Sequence, residues 1–240
     1  MSETLFNIVE TSDRVTPTAT LRVEVIADFV CPFSFLGKRR LDAALRAVRG
    51  PSEISWYPFQ LNPEIPPEGQ PFDEYLASRF GSRANIAPAL EELAKEGARQ
   101  GIRFAFDKIR HVPNTLPAHQ LMQHAETLGK DQTGLAESLM SAFFEDGLNI
   151  GERAVLVDLA ERHGIPAGET RSALGSDRAR QAVVTREAQV RGSGLSTAPG
   201  FLINRRLLVV GAQPTDNIVN AFDRAMFGEG TDSLVSPALH

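Results

Sequence analysis

The 240-residue sequence predicts an α/β fold that runs strand–helix–strand, then a long helical block, then strand–strand–helix. Three observations predict it. Apolar runs with strand character lie near the two ends of the chain and are nearly absent between them. The intervening span, residues 72–192, repeats its apolar residues at helical spacing. The last two apolar runs are separated only by Asn204-Arg205-Arg206, which reads as the turn of an antiparallel hairpin.

Residues 1–20 are polar, with Pro17 and several threonines and serines, and read as a flexible arm. Leu21 to Ile26 alternates apolar and polar and then turns fully apolar, as a strand entering a buried sheet does. Asp28-Phe29-Val30-Cys31-Pro32 ends it. Leu36, Leu41, Ala44, Leu45 and Val48 then recur at helical spacing, and Gly50-Pro51 stops that helix. Ile54 to Phe59 reads as a second strand, so the first sixty residues form a βαβ unit with a parallel pair. Pro58, Pro63, Pro66, Pro67 and Pro71 follow at a density that forbids regular helix and marks a stiff boundary. Helical patterns cover 72–80, 85–100, 117–128, 134–145, 152–163 and 169–192, with an irregular stretch at 102–113. After the hairpin, residues 215–227 alternate as an amphipathic helix with Pro214 before it and Asp216 in its first turn.

Composition narrows the class. Apolar residues make up 42% of the chain and are spread along it, which supports a sizeable core and excludes disordered and fibrous types. The net charge of −5 arises from 30 acidic and 25 basic residues without a single-sign block, so a nucleic-acid backbone finds no electrostatic footprint; Lys38-Arg39-Arg40 is too short to supply one. With one cysteine no internal disulfide can form, as fits a reducing compartment. The first twenty residues carry neither the basic region nor the apolar core of a secretory signal, and no apolar run approaches the roughly 20 residues of a membrane helix. A cytoplasmic globular protein is expected.

The chemistry points to Cys31. Proline suits the first position of a helix, where its missing N–H has no partner anyway, so Pro32 places Cys31 at the N-cap. There the free N–H groups and the positive end of the helix dipole favour a thiolate, and cysteines so placed fall to roughly 3.5–7.5. Ser34 lies within reach to donate its hydroxyl hydrogen to the same sulfur. A cysteine is also an ordinary small buried hydrophobe; Pro32 and the strand-to-helix setting favour the reactive reading. Pro199, in Ser196-Thr197-Ala198-Pro199-Gly200-Phe201, is either an ordinary residue at a strand entry or a cis-proline at a ligand-facing turn. Asn114 and Thr115 precede Leu116-Pro117 and suit helix capping. His111, His124, His163 and His240 show no metal-ligand spacing, and neither a Gly-rich phosphate loop nor a paired-carboxylate arrangement stands out.

The segment DFVCPFSFLGKRRL resembles the active-site segment of the DsbA-like thioredoxin superfamily, in its FrnE-like branch, which is related to 2-hydroxychromene-2-carboxylate isomerase and the kappa-class glutathione transferases. The likeness continues through WYPFQLNPEIPPEG, VPNTLPAH and TAPGFLINRRLLVVGAQP, and so spans residues 21–227. It implies a thioredoxin-like fold (βαβ…ββα) with a large all-helical insertion: an arm at 1–20, the first half at 21–65, the insertion at 66–192 and the second half at 193–240. It implies a cis Ala198–Pro199 bond facing Cys31. It also implies a thiol–disulfide oxidoreductase in which Cys31 and Ser34 are catalytic. Pro32, Phe33, Thr197, Ala198, Pro199, Asn114 and His119 are then candidate substrate contacts.

There is one departure. The family's oxidoreductases carry Cys-Pro-x-Cys, and here Ser34 stands at the fourth position. Cys31 would then be released from a mixed disulfide by an external thiol, with glutathione the candidate co-substrate and no covalently bound cofactor. A glutathione-dependent isomerase or transferase, and a redox-inactive binding module, are the alternatives. The partner expected is a thiol or disulfide substrate rather than nucleic acid or membrane, and the expected state is a monomer or a homodimer.

Overall fold

A computed structural model describes residues 20–228. The arm expected over 1–20 lies outside the described residues except for Thr20, as does the end of the expected second half, 229–240.

The chain opens with strand β1 (Leu21–Ala27), helix α1 (Pro32–Ala47) and strand β2 (Ser52–Pro58). It then passes through β3 (Gln70–Pro71), α2 (Phe72–Phe80), α3 (Arg83–Arg99), β4 (His111–Val112), α4 (Leu116–Thr127), α5 (Gln132–Phe144), α6 (Arg153–Arg162), α7 (Ala167–Leu174) and α8 (Asp177–Gly192). Strands β5 (Gly200–Ile203) and β6 (Leu207–Val210) and helix α9 (Thr215–Phe227) close it. The four-stranded sheet has the order β2-β1-β5-β6. β1 runs parallel to β2, from Leu21 opposite Ser52 to Ala27 opposite Pro58, and antiparallel to β5, from Val23 opposite Ile203 to Ile26 opposite Gly200. The helical block therefore separates two halves of one sheet, and the first and last βα elements are brought together by pairing.

The alternation read in β1 decides the layers. Leu21, Val23 and Val25, with Phe201, Ile203, Leu207 and Val209, are buried in one cluster with Phe35, Leu36 and Leu41 of α1 and Ile218 and Phe222 of α9. Side chains on the other register, Ile26 in β1 with Leu202, Leu208 and Val210, join Phe59, Leu195 and Ala198 in a second cluster. A period of two places successive residues on opposite faces, so one strand feeds both clusters. The insertion is tied to the sheet by polar contacts: the Gln60 backbone N–H and side-chain amide donate to the two oxygens of buried Glu187 on α8, at 2.8 and 2.7 Å. Arg191 of α8 stacks on Phe59, 4.1 Å from the ring centre.

Two local features were not legible in the periodicity. The helix expected over 169–192 is two helices, because the Ser176 hydroxyl accepts from the Ala179 N–H at 3.2 Å and caps a new start. The insertion also carries a short ladder, Gln70 opposite Val112 and Pro71 opposite His111, inside stretches read as connector and irregular chain. Two-residue strands leave no period to detect. No helix among the described residues is long and apolar enough to cross a membrane.

Candidate active site

Cys31 is the N-cap of α1, with φ −92° and ψ 112°, and Pro32 occupies the first turn. Its carbonyl accepts from the N–H groups of Ser34 and Phe35, at 3.0 and 3.3 Å, which starts the helix. Its side chain is 2% exposed, and the thiol donates to the Ala198 carbonyl with a sulfur–oxygen distance of 3.5 Å. The Ala198–Pro199 peptide bond is cis. Pro199 lies against α1 as well: a Cβ on Gly37 would meet Pro199 Cγ and the Phe201 ring, each at 3.0 Å, so the absent side chain at Gly37 lets the loop close onto the helix. Thr197 is exposed beside this contact, and Ala198 and Pro199 are buried.

These features decide the family together with one comparison. Residues 22–223 match the model of the DSBA-like thioredoxin domain. The chain belongs to the DsbA-like thioredoxin family. An uncharacterized protein of Bacillus subtilis, YwbO, is 28% identical over 155 residues, which are 65% of this chain and 72% of that protein. Among solved structures, a probable DsbA oxidoreductase of Streptomyces coelicolor, SCO1869, is 27% identical and superposes with a TM-score of 0.80 over 91% of this chain and 94% of its own. The cytosolic disulfide reductase DsbM of Pseudomonas aeruginosa, solved with GSH, shares the fold at 19% identity, with a TM-score of 0.58 over 85% of this chain and 95% of its own.

Within this DsbA-like frame the thiol departs from expectation. Burial pushes Cys31 up to about 11, and the Asp28 carboxylate adds to the rise by repulsion. The Ser34 hydroxyl and the N–H groups of Ser34 and Phe33 pull the other way and lose. The low-pKa thiol expected from the N-cap position is thus corrected: helix-end N–H groups do favour the thiolate, but taking the sulfur out of water disfavours it more. In this state Cys31 is a neutral thiol.

Asp28 is the residue that sequence reasoning passed over, although it stands three positions before Cys31. It is 0% exposed. Its Oδ2 accepts from the Leu61 N–H at 2.7 Å, while Oδ1 faces His119 Nε2 at 3.6 Å, and neither of those two atoms has a hydrogen-bond partner among the described residues. The His119 ring packs on Phe29, with centroids 4.7 Å apart. His119 therefore lies beside Asp28 at the end of β1. A buried carboxylate ending an apolar strand was the only available signal, and by itself it reads as a turn residue.

Asn114 does local work. Its Oδ1 accepts from the Leu116 N–H at 3.0 Å and its amide donates to the Ile65 carbonyl at 2.7 Å, so it closes the turn that leads into α4, just before the N-cap Thr115, and ties it to the proline-rich connector. Ser34 is buried under the thiol, whereas Phe33 is 54% exposed beside it. Cys31, Pro32 and Phe33 form one wall of a cavity of about 300 Å³ whose other walls come from α2, α3 and the end of α5. No group of three or more His, Cys, Asp or Glu among the described residues could hold a metal ion.

Asp28→Asn keeps the acceptor for Leu61 and removes the negative charge. Its alkylation by iodoacetamide at pH 8 is expected to be a few-fold faster than that of the parent, since removing a like charge lowers the thiol pKa. Ser34→Ala should be slower, because it removes a bond that favours the thiolate. A slower Asp28→Asn protein would show that Asp28 does not oppose ionisation.

Proposed function

We propose that the protein is a monothiol thiol–disulfide oxidoreductase, with Cys31 its nucleophile and an external thiol such as glutathione its resolving agent. The observation that carries this reading is the placement of the chain's one cysteine: at the N-cap of α1, against the Ala198 carbonyl, and in the wall of a cavity. DsbM, a disulfide reductase of the same fold solved with GSH, supports the choice of thiol.

The first step is loss of the Cys31 proton, which breaks the S–H···O contact to Ala198. The Ser34 hydroxyl and the first-turn N–H groups then stabilise the thiolate. The thiolate attacks one sulfur of a disulfide R–S–S–R′, forming Cys31–S–S–R while R′S⁻ leaves with the electron pair and takes up a proton. A second thiolate, from glutathione, attacks the R sulfur, giving R–S–SG and returning the Cys31 thiolate. The enzyme ends as it began, and the substrate disulfide has exchanged one partner.

The test incubates the whole protein with glutathione disulfide and then with glutathione, followed by intact mass. One mixed disulfide is expected, mapped to Cys31, discharged by glutathione and lost in Cys31→Ala. Glutathione bound without any exchange would favour the isomerase or transferase reading. Neither binding nor exchange would leave a binding module.

A further inference from the structure

We propose that the cavity beside Cys31 binds a small aromatic molecule, and that the disulfide exchanged at Cys31 is carried by such a molecule rather than by a peptide. This rests on the reading of Cys31 as a thiol–disulfide nucleophile. Three features of the cavity carry it.

The first is chemistry. Among the described residues no charged side chain lines the cavity, and apart from the Cys31 thiol its one polar side-chain group is the Tyr75 hydroxyl. An amide or carboxylate entering it would lose its water partners and find only the Tyr75 hydroxyl and the thiol in exchange. Rings such as Phe72, Phe106, Phe143 and Phe144 instead offer faces and edges to another aromatic ring.

The second is size. An apolar cavity of about 150 Å³ accepts benzene. The volume here, about 300 Å³, is twice that, room for two fused rings. It falls at the lower edge of small-molecule sites.

The third is the roof. Helix α3 has 17 residues, yet only Gly97 is buried. Ile86, Leu90 and Leu93, its apolar stripe, face the cavity half-buried. A ring system in the cavity completes the burial of this stripe, whose Ile86 and Leu93 already pack against the core from one side. The thiol is the point where that ligand meets the polar side of the site, since the Ala198 carbonyl contacts the sulfur but does not line the cavity. A disulfide R–S–S–R′ whose R group fills the cavity is held with its sulfur at Cys31. The leaving R′S⁻ and the resolving thiol then use the other side, and the atoms and electrons balance as in the exchange above.

The experiment measures second-order rates of mixed-disulfide formation at Cys31 for three probes: bis(2-naphthyl) disulfide, glutathione disulfide, and a disulfide-linked peptide with phenylalanine next to its cysteine. Each rate is divided by that with free N-acetylcysteine. The naphthyl probe is expected to exceed the other two by at least about tenfold, as an apolar pocket would give. In Leu90→Trp, which fills the cavity from a half-buried helix face, the naphthyl-to-glutathione ratio should fall about as far. The unsubstituted protein gives a second reading: 2-naphthol, which has no sulfur to exchange, should slow iodoacetamide alkylation of Cys31 saturably. Equal normalised rates for naphthyl and peptide probes, or no protection by 2-naphthol, overturn the proposal while leaving the exchange reading intact. Failure of all three disulfides overturns the exchange reading, and 2-naphthol protection still decides the cavity.

Discussion

Ser34→Cys turns this protein into a dithiol enzyme: an intramolecular disulfide to Cys31 forms, and insulin reduction rises at least about tenfold over the parent. Helix geometry places residues three apart about 5 Å from Cα to Cα, inside the roughly 4.4–6.8 Å that disulfides span. Ser34 lies close enough for its hydroxyl to favour the Cys31 thiolate, and its oxygen accepts from the Asp28 N–H at 3.4 Å. It is also 1% exposed, so the new thiol is confined beside its target rather than free in solvent. A resolving thiol at that effective concentration outpaces any external one. The same burial that protects the pair slows entry of large substrates, so the gain should be greater for small disulfides than for insulin. A variant that stays reduced under oxidising glutathione, or stays as inactive as the parent, would show that the two side chains do not face each other.

The second large effect is on stability at alkaline pH. The Cys31 thiol titrates near 9.0 when unperturbed and at about 11 when folded. Between those values the unfolded chain has released its proton and the folded chain has kept it. Unfolding then releases a proton, and stability falls as pH rises. The stabilisation is fully present below pH 9 and is lost through pH 11. Two pH units correspond to about 3 kcal/mol at the limit, an order-of-magnitude figure for a group wholly out of water. Tyrosines and lysines titrate in the same window, so the measurement is a difference. Urea unfolding from pH 8 to 11 should show the parent losing about 2 kcal/mol relative to Cys31→Ala. Parallel curves for the two proteins would mean that Cys31 ionises as it does in solution.

Much of the fold can be read from the chain because its signals are short-range. The alternation in Leu21 to Ile26 depends on which face of a pleat each residue occupies. The Cys31-Pro32 start and the Asn204-Arg205-Arg206 turn depend on backbone preferences within three or four residues. The turn is seen with positive φ at Asn204 and Arg205, 50° and 55°, as a tight hairpin of this hand requires. Those local rules determine the βαβ and ββα halves, the helical block and the position of the one thiol.

What local rules cannot hold is desolvation and long-range meeting. The N-cap by itself argues for a thiolate, and Cys31 is a neutral thiol only because the fold buries it, with the Ala198 carbonyl against the sulfur and α2, α3 and α5 around the adjoining cavity. Asp28 and His119 are 91 positions apart and become neighbours only when α4 packs beside the end of β1. Gly37 gains its meaning from Pro199, and the α3 stripe from the rings of α5 across the cavity. Sequence alone determined the halves, the insertion and the position of the one cysteine. Tertiary structure alone decided how reluctantly it ionises and what stands beside it, because the free energy of a charge or an apolar face depends on everything that displaces water from it, whatever its distance along the chain.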